Sequence, residues 1–374
     1  ATFVHRTSRA GDPQLHTHCV IPNLVRRDDG AWVALDAAAL YQWAKAAGSV
    51  YQEELRRRLT DRLGVGWGAD RNGCREMTGV SEAQLRAFSK RTVQIEAHLA
   101  ATGEVPADRK ARMRADEAAS VATRPRKDRT LTPTRLRDRW QAEAEGVGLP
   151  VGDALLHAVQ GQGAVGLVGA AEVRELFARL VDPESGLCAH DSRFGEAPVV
   201  EAVAAWGAGR LAVDDISYLT RLFLRTDRVI RLATPDPTGR APGQWSTVAH
   251  RAVEDRVLHH LDLLRARTGW PILHSAVEHS IDDAPRLGED QAAAVRLLTS
   301  PGRALRALVA PAGHGKTTTL ATAVDAARSV GRPVVALSTT NQAVDQLRHV
   351  GIPAVTVARF ALDRTVLEPN SVVI

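Results

Sequence analysis

The sequence predicts an α+β part at the N-terminus, a mainly helical middle region and a partial α/β domain at the C-terminus. Three observations predict this order. The first residues have the pattern of two strands joined by a turn. Residues 134–232 carry apolar side chains at the helical spacings of three and four. In residues 305–374, short apolar runs alternate with helical segments. The last pattern implies a parallel sheet with right-handed crossovers.

The size and charge of the chain limit its class. At 374 residues it is long enough for two or three domains of roughly 150 residues each. Its net charge of +5 favours a polyanionic partner without proving one. The 3 cysteines have no CxxC spacing, which predicts a reduced, cytoplasmic setting. No apolar run approaches the ~20 residues that a bilayer requires, so we expect no membrane insertion.

Three histidines near the N-terminus form a candidate metal site. His16 and His18 are two residues apart, so on a strand both imidazoles leave the same face. His5 precedes the turn-forming run 10–13, and a hairpin would bring it beside the other two. Converging neutral imidazoles suit a divalent metal. The alternative is that each histidine is an ordinary core or surface residue.

The segment around these histidines resembles a known family. The run from His5 to His18, followed by Asp29-Gly30-Ala31-Trp32, Leu35-Asp36 and further matches to about Arg91, is similar to the metal-binding segment of conjugative relaxases of the relaxase–helicase (MobF, TrwC/TraI) kind. The resemblance implies part of an HUH-type relaxase palm. It also implies single-stranded DNA at a transfer origin, transfer accessory proteins and a coupling protein as partners.

The same resemblance implies roles for single residues. His5, His16 and His18 would hold Mg, Mn or Zn against the scissile DNA phosphate. In proteins of this family a tyrosine near the N-terminus attacks that phosphate. Asp12 would orient a ligand imidazole, although a turn-forming aspartate explains it equally well. Tyrosines at 41, 51 and 218 do not match the nucleophile, so we expect the nucleophilic Tyr to be absent from this sequence.

A long helix is predicted after the histidine segment. Asp36 is a suitable N-cap, and apolar residues from Leu40 to Leu59 share one face. The opposite face carries a run of arginines, which is either solvated or, given the resemblance, in contact with a DNA backbone; Arg56 and Arg57 are the candidates. Ser81 is predicted to cap a further helix that runs to Leu99.

Composition, together with the family resemblance, predicts five segments. They are 1–100, the C-terminal part of a relaxase domain; 101–133, a charged basic linker; 134–232, a mainly helical region; 233–243, a Pro/Gly linker; and 244–374, the N-terminal part of a P-loop helicase domain. In the basic linker, Arg124, Arg126 and Lys127 resemble a small basic motif of the family and are candidate DNA contacts, with an exposed linker as the alternative. Cys188 and His190 lack a second pair of metal ligands.

A phosphate-binding loop is predicted between a strand at Leu305–Val309 and a helix that begins at Thr317. Glycines at 313 and 315 would let backbone N–H groups turn towards phosphate oxygens. Lys316 would supply a positive charge and Thr317 a hydroxyl for Mg²⁺. The ATP and Mg²⁺ candidates are Gly313, His314, Gly315, Lys316, Thr317 and Thr318. Ala310 replaces the usual first glycine of the motif, and a Gly-rich turn without nucleotide remains the alternative.

Segments on both sides of this loop resemble RecD-like superfamily-one helicases. By that resemblance Gln291 would contact adenine, with a plain surface glutamine as the alternative, and Thr340 and Thr356 would touch single-stranded DNA. Val334–Thr340, Ala354–Thr356 and Ser371–Ile374 read as strands. The Asp-Glu pair that follows the last of these strands in the family does not occur here, so we expect the Walker B acids to be absent from this sequence.

These inferences together indicate part of a DNA relaxase–helicase for conjugative plasmid transfer. Such an enzyme nicks one strand at a specific site by metal-dependent transesterification and then unwinds the duplex with ATP. We expect neither reaction from this chain alone, because no nucleophile and no general base for hydrolysis are found in it. The alternatives are a catalytically incomplete nucleic-acid- and ATP-binding remnant of a mobile element, or a stand-alone P-loop DNA-dependent ATPase.

Overall fold

The computed structural model describes residues 1–71, 74–103, 109–124, 132–161, 168–232, 243–269, 271–311, 313–363 and 367–374. The chain divides into two compact units, 1–251 and 252–374. Among the sequence-based candidates, Arg126, Lys127 and all but the last residue of the 233–243 linker lie outside the described residues. No described helix is both long and apolar enough to cross a lipid bilayer.

The first unit combines short antiparallel strand pairs with helices. Its strands are β1 (Thr2–Thr7), β2 (Pro13–Cys19), β3 (Val25–Arg26), β4 (Trp32–Val33), β5 (Trp67–Arg71), β6 (Cys74–Met77), β7 (Val229–Arg231) and β8 (Trp245–Thr247). Its helices are α1 (Ala38–Leu63), α2 (Glu82–Ala87), α3 (Lys90–Thr102), α4 (Arg109–Ala122), α5 (Pro133–Gly146), α6 (Asp153–Val159), α7 (Ala170–Leu180), α8 (Glu196–Gly207) and α9 (Val213–Leu224). Helix α10 (Val248–Ala266) contains the division point.

The β1–β2 hairpin carries the candidate metal ligands. Its turn is closed by the Ser8 hydroxyl, which accepts hydrogen bonds from the backbone N–H groups of Ala10 and Asp12 at 3.2 and 3.1 Å. Gly11 has a φ of +82°, a left-handed conformation that favours glycine. The strands pair antiparallel with His5 opposite His16. The turn chemistry of the sequence therefore forms the expected hairpin.

Helix α1 differs from its predicted faces. Its N-cap is Ala37 rather than Asp36, although the Asp36 carboxylate accepts a hydrogen bond from the backbone N–H of Ala38. Arg56, expected on an exposed face, is only 3% exposed and lies 3.7 Å from the fully buried carboxylate of Glu53. The expectation that Arg56 is exposed to a DNA backbone is therefore wrong for this structure. Conversely, Tyr51 on the expected apolar face is 53% exposed.

The buried carboxylate of Glu53 explains why the Arg56 side chain of α1 is also buried. Its carboxylate accepts hydrogen bonds of 2.8–3.1 Å from the backbone N–H groups of Gly209, Arg210 and Leu211, in the loop between α8 and α9. A buried carboxylate is stable only when it is hydrogen-bonded in this way. Glu53 therefore joins α1 to the helical middle region.

The helix predicted after Ser81 is interrupted. Ser81 forms a capping box with Gln84 as expected for an N-cap. The Ser89 hydroxyl then bonds back to the Leu85 carbonyl at 2.9 Å, and the segment splits into α2 and α3 at this point. Serine hydroxyls compete with the backbone in this manner, which periodicity alone does not reveal.

The middle region contains helices α5 to α9. Its core is a cluster of buried apolar side chains in which Phe177 and Phe223 pack edge to face, with ring centroids 5.2 Å apart. Leu176, Leu180, Val203 and Leu219, which lie in the region where the sequence predicts apolar helical spacing, belong to this cluster. β8 pairs with β7, so Trp245–Thr247 falls in the first unit, which ends at Arg251 rather than at the expected linker.

The second unit contains a parallel sheet with strand order β12-β11-β13. Its elements are β9 (Thr268–Gly269), α11 (His274–Asp282), α12 (Glu289–Thr299), β10 (Gly302–Arg303), α13 (Lys316–Ser329), β11 (Val334–Ser338), α14 (Asn341–His349), β12 (Ala354–Thr356), α15 (Val357–Leu362) and β13 (Val372–Val373). Buried Val324, Ala336, Val344, Ile352 and Ala354 form the core of this sheet and its helices.

One predicted strand of this unit is not formed. Residues 305–309 have no strand conformation and pair with none of the described strands, and Val309 is 93% exposed. An apolar run becomes a strand only where a neighbouring strand satisfies its backbone groups. The segment leading into the phosphate loop is therefore unpaired among the described residues.

Candidate metal centre and phosphate loop

The three histidines converge on one face of the β1–β2 hairpin. Ligand atoms of His5, His16 and His18 all lie within 4.8 Å of one another, and among the described residues this is the group that could hold a metal ion. The ring centroids of His5 and His18 are 4.5 Å apart, and those of His5 and His16 are 5.3 Å apart. This convergence follows from the cross-strand pairing of His5 with His16 and the two-residue spacing to His18.

The hydrogen bonds of His16 determine which nitrogen is available. Its Nδ1 lies 3.0 Å from the carbonyl oxygen of Gln14, and a carbonyl oxygen can only accept, so Nδ1 carries the proton. The Nε2 lone pair of His16 is then directed at Nε2 of His18, 3.3 Å away. A backbone carbonyl that fixes the tautomer in this way is typical of metal-binding histidines.

A cavity of about 520 Å³ lies beside the histidines. It is lined by the triad and by Arg6, Thr7, Ser8, Arg9, Ala10, Gly11, Gln14, Arg124, Leu136 and Arg139. The described lining contains several arginines and no carboxylate. Arg124, a candidate DNA contact from the basic motif, therefore lies at the same cavity as the metal candidates. Sequence reasoning missed Arg6, Arg9 and Arg139.

Asp12 is held in the hairpin turn by its neighbours. It is 3% exposed, its Oδ2 accepts a hydrogen bond from the Ser8 hydroxyl at 3.1 Å, and its Oδ1 lies 3.2 Å from the ammonium of Lys90. These contacts fix the hairpin turn to α3. These contacts favour the turn-forming role that the sequence also allowed for Asp12, and its role in orienting a metal ligand stays a prediction.

Helix α5 holds the same turn from another direction. The indole N–H of Trp140 donates to the Gly11 carbonyl at 2.8 Å. The Arg139 guanidinium packs so close to Gly11 that an added Cβ there would come within 3.1 Å of it. Glycine is thus required at position 11 by both its positive φ and this close approach.

The arginine run on α1 is engaged within the protein. Arg57 forms ion pairs with Glu54 and Asp61 at 3.0 and 2.8 Å, and Arg58 pairs with Glu54 at 2.7 Å. The hydrogen bonds from Arg57 and Arg58 lower the pKa of Glu54 to about 2. Arg57, a candidate DNA contact, is therefore paired with two carboxylates in this structure.

The phosphate loop has the local geometry of a helix N-terminus that binds anions. Gly313 and Gly315 both have positive φ, +79° and +70°, and α13 begins directly after Gly315. The Lys316 ammonium donates to the carbonyls of Ala310 and Pro311 at 2.7 Å each. Lys316 is thus folded back on its own loop, where it is held beside the N-terminus of the helix.

Gln291 contacts this loop directly. Its amide nitrogen donates to the His314 carbonyl at 3.2 Å, and a Cβ at position 315 would overlap that amide. Its amide oxygen accepts from the backbone N–H of Gly288 at the start of α12. The resemblance to RecD-like helicases implied that Gln291 would contact adenine. In this structure its amide contacts the phosphate loop.

The other candidates of this unit lie at helix starts. Thr317 and Thr318 are exposed in the first turn of α13. The Thr340 hydroxyl accepts from the Ala343 N–H at 3.2 Å, and the Thr356 hydroxyl accepts from the Arg359 N–H at 3.1 Å, so both cap helices. Thr340 lies two residues after the end of β11, and Thr356 is the last residue of the adjacent parallel strand β12. Capping accounts for both threonines without a nucleic acid.

The Cys188–His190 pair forms no metal group among the described residues. Cys188 is buried, and its sulfur lies 3.9 Å from the hydroxyl of Ser246. It belongs to the core cluster of the helical middle region.

Comparisons with known proteins match both ends of the chain. Residues 1–147 match the family model of the TrwC relaxase, and residues 286–374 match the model of an AAA domain. A relative, the multifunctional conjugation protein TraI of Escherichia coli, is 36% identical over 107 residues. That match covers 25% of this chain and 6% of TraI.

Solved structures of TrwC also match. One is TrwC complexed with a 27-mer DNA comprising the recognition hairpin and the cleavage site, at 36% identity and a TM-score of 0.36, covering 40% of this chain and 52% of that one. Another is a metal-bound TrwC in complex with OriT DNA, at 36% identity and a TM-score of 0.36, covering 40% of this chain and 50% of that one. The match spans about half of each TrwC chain. The relaxase match at residues 1–147, followed by an AAA-domain match at residues 286–374, fits the domain order of a conjugative relaxase–helicase of the MobF family.

Proposed function

We propose that the histidine cluster binds a divalent metal and, with the surrounding arginines, a phosphodiester of single-stranded DNA at a transfer origin. The observation that carries this proposal is the convergence of His5, His16 and His18 at the rim of a cavity whose described lining contains arginines and no carboxylate. Phosphate oxygens favour guanidinium donors, and a metal held by imidazoles keeps open positions for oxygen ligands.

The donor set fits a bound metal. Three imidazoles supply nitrogen ligands, and the hydrogen bond from Nδ1 of His16 to Gln14 leaves its Nε2 free to coordinate. Mg²⁺, Mn²⁺ and Zn²⁺ are the candidates; imidazole ligands favour Zn²⁺ over Mg²⁺. When bound, the metal would polarise the scissile phosphate as a Lewis acid. Arg6, Arg9 and Arg124 would hold neighbouring phosphates and position the strand.

The test is a calorimetric titration of Zn²⁺ and Mn²⁺ into the wild-type chain and into His16→Ala. We expect one site in the wild-type chain and a loss of affinity of more than about 10-fold in the variant, because one of three ligands and its oriented lone pair are removed. A matched control is His98→Ala, a half-buried histidine of α3 outside the cluster. Equal affinity in all three proteins would contradict the proposal.

The phosphate loop is proposed to bind ATP and Mg²⁺. Backbone N–H groups of Gly313, His314 and Gly315 and the N-terminus of α13 would receive the phosphates. The Lys316 ammonium would leave the carbonyls of its own loop for the phosphate oxygens. The exposed hydroxyls of Thr317 and Thr318, in the first turn of α13, would be the candidates to bind the Mg²⁺. Lys316→Ala should abolish binding of a fluorescent ATP analogue, whereas Lys45→Ala, a surface pair with Glu201, should not change it.

In the intact family enzyme we propose nicking by transesterification followed by ATP-driven unwinding, with accessory and coupling proteins as partners. A second candidate, nucleic-acid and ATP binding without turnover, is favoured by one observation: no tyrosine is among the described lining residues of the cavity. An oligonucleotide that carries the cognate transfer origin, incubated with this chain and Mn²⁺, distinguishes the two. A covalent DNA–protein adduct on a denaturing gel would refute the second candidate.

A further inference from the structure

We propose that Arg139, on α5, binds a phosphodiester oxygen of the strand held at the histidine cavity. The inference rests on the proposed function of that cavity and adds a residue that neither the family motif nor the sequence analysis identified. Arg139 lies on a helix of the same unit, far from the histidines in the sequence, yet its side chain lines the same cavity as all three of them.

The guanidinium of Arg139 has donors that the protein does not use. Its Nε donates to the Glu143 carboxylate at 2.9 Å, and its Nη2 lies 3.5 Å from the Ala10 carbonyl. Among the described residues, Nη1 has no acceptor, and the side chain is 38% exposed. A planar guanidinium fixed on one edge presents the other edge to a ligand, which matches the geometry of a phosphate.

A chain of ion pairs holds this side chain in place. Glu143 receives Arg139 on one oxygen and the Lys90 ammonium, at 2.6 Å, on the other. Lys90 in turn lies 3.2 Å from the Asp12 carboxylate in the hairpin turn. Burial raises the pKa of Glu143, but the hydrogen bonds from Lys90 and Arg139 outweigh this and leave it lowered. Glu143 is therefore ionised at neutral pH and anchors Arg139.

The anchor also fixes Arg139 relative to the metal candidates. Its guanidinium packs on Gly11, in the turn between the strands that carry His5 and His16. The turn is bound to the same helix by the hydrogen bond from Trp140. A guanidinium that is already in position loses less conformational entropy on binding than a free surface arginine. Glu143 holds its Nε, and no carboxylate in the described lining of the cavity competes with an anion for Nη1.

The test compares two charge-removing substitutions on the same helix, Arg139→Gln and Arg137→Gln. Arg137 is exposed and does not line the cavity. The full chain is titrated, by fluorescence anisotropy, into a labelled single-stranded oligonucleotide with saturating Zn²⁺ over a range of salt concentrations, and the Zn²⁺ affinity of each variant is measured separately. For a lost charge-assisted hydrogen bond we expect Arg139→Gln to weaken DNA binding about 10-fold.

Further readouts separate a phosphate contact from a structural role. The slope of log affinity against log salt should fall by about 0.7 for Arg139→Gln, the value for one phosphate contact on a single strand, while its Zn²⁺ affinity is unchanged. Arg139→Lys should restore only part of the DNA affinity, because an ammonium cannot make the forked contact. Glu143→Gln, which keeps the arginine but releases its anchor, should show an intermediate loss.

Two results would overturn the inference. Equal effects of Arg139→Gln and Arg137→Gln would reduce it to a general charge effect, and a parallel loss of Zn²⁺ and DNA affinity in Arg139→Gln would assign Arg139 a structural role in the hairpin. Neither result contradicts the proposal that the histidines bind a metal. A wild-type chain that binds neither Zn²⁺ nor the oligonucleotide would instead refute the proposed function.

Discussion

Replacing Glu53 by glutamine should loosen the joint between α1 and the helical middle region. The substitution keeps the shape of the side chain and removes its charge. The carboxylate accepts bonds of 2.9 and 2.8 Å from Gly209, 3.0 Å from Arg210 and 3.1 Å from Leu211 while fully buried. In Glu53→Gln one of these bonds becomes a contact between two donors, and the others lose their charge assistance.

The magnitude follows from those contacts. A buried hydrogen bond to a charged group contributes about 1.5–3 kcal/mol, and breaking a buried charged network costs about 3–5 kcal/mol. Because the glutamine oxygen retains part of the bonds, we expect a loss of about 3 kcal/mol in the free energy of unfolding of this unit. If the amides of the loop exchange through local opening, that loss corresponds to roughly 100-fold faster hydrogen exchange.

The assay is hydrogen–deuterium exchange measured by mass spectrometry on the peptide that contains Gly209 to Leu211. The matched control is Glu54→Gln, the neighbouring carboxylate, whose side chain is 22% exposed and pairs with Arg57 and Arg58 at the surface. It should cost about 0.5 kcal/mol and leave exchange of the loop unchanged. Equal exchange of the loop in both variants would refute the view that Glu53 holds it.

Three further outcomes are expected. Gly11→Ala should lower the thermal midpoint and reduce Zn²⁺ affinity, because the residue has a φ of +82° and its new methyl would press on the guanidinium of Arg139; an unchanged midpoint would argue against that contact. Gly315→Ala should weaken binding of a fluorescent ATP analogue, because the new Cβ would overlap the Gln291 amide. The control is Gly331→Ala, where φ is also positive but no atom lies near the new Cβ. The pKa of Glu54 is lowered to about 2, so its ion pairs stabilise the fold fully above its ordinary pKa of 4.5 and are lost as the pH falls towards 2. The stability against urea should therefore fall less steeply with decreasing pH in Glu54→Gln than in the wild-type chain.

The histidine cluster could be predicted from the sequence because its determinants are local. The spacing of His16 and His18 and the turn at 10–13 together specify a hairpin, and a hairpin brings His5 opposite His16. The parallel order of β11 and β12 likewise follows from the alternation of short apolar runs and helices. Patterns of this kind depend on neighbours along the chain.

The residues that the sequence did not reveal depend on distant partners. Arg56 looked like part of a solvated arginine run, and its burial follows from Glu53 and the loop after α8. Arg139 joins the histidine cavity through Gly11 and Ala10, which lie in another element. The predicted strand at 305–309 failed for the related reason that no described strand pairs with it. Periodicity carries no information about such partners.

The most direct test of the central claim is the affinity of a single-stranded oligonucleotide for the wild-type chain and His16→Ala, each with and without Zn²⁺. If the histidine cluster and its arginines form one phosphodiester site, Zn²⁺ should strengthen DNA binding by the wild-type chain and should have no effect on His16→Ala. Binding that is equally strong with and without the metal in both proteins would contradict this, and would leave the arginines as a surface that attracts DNA without a metal centre.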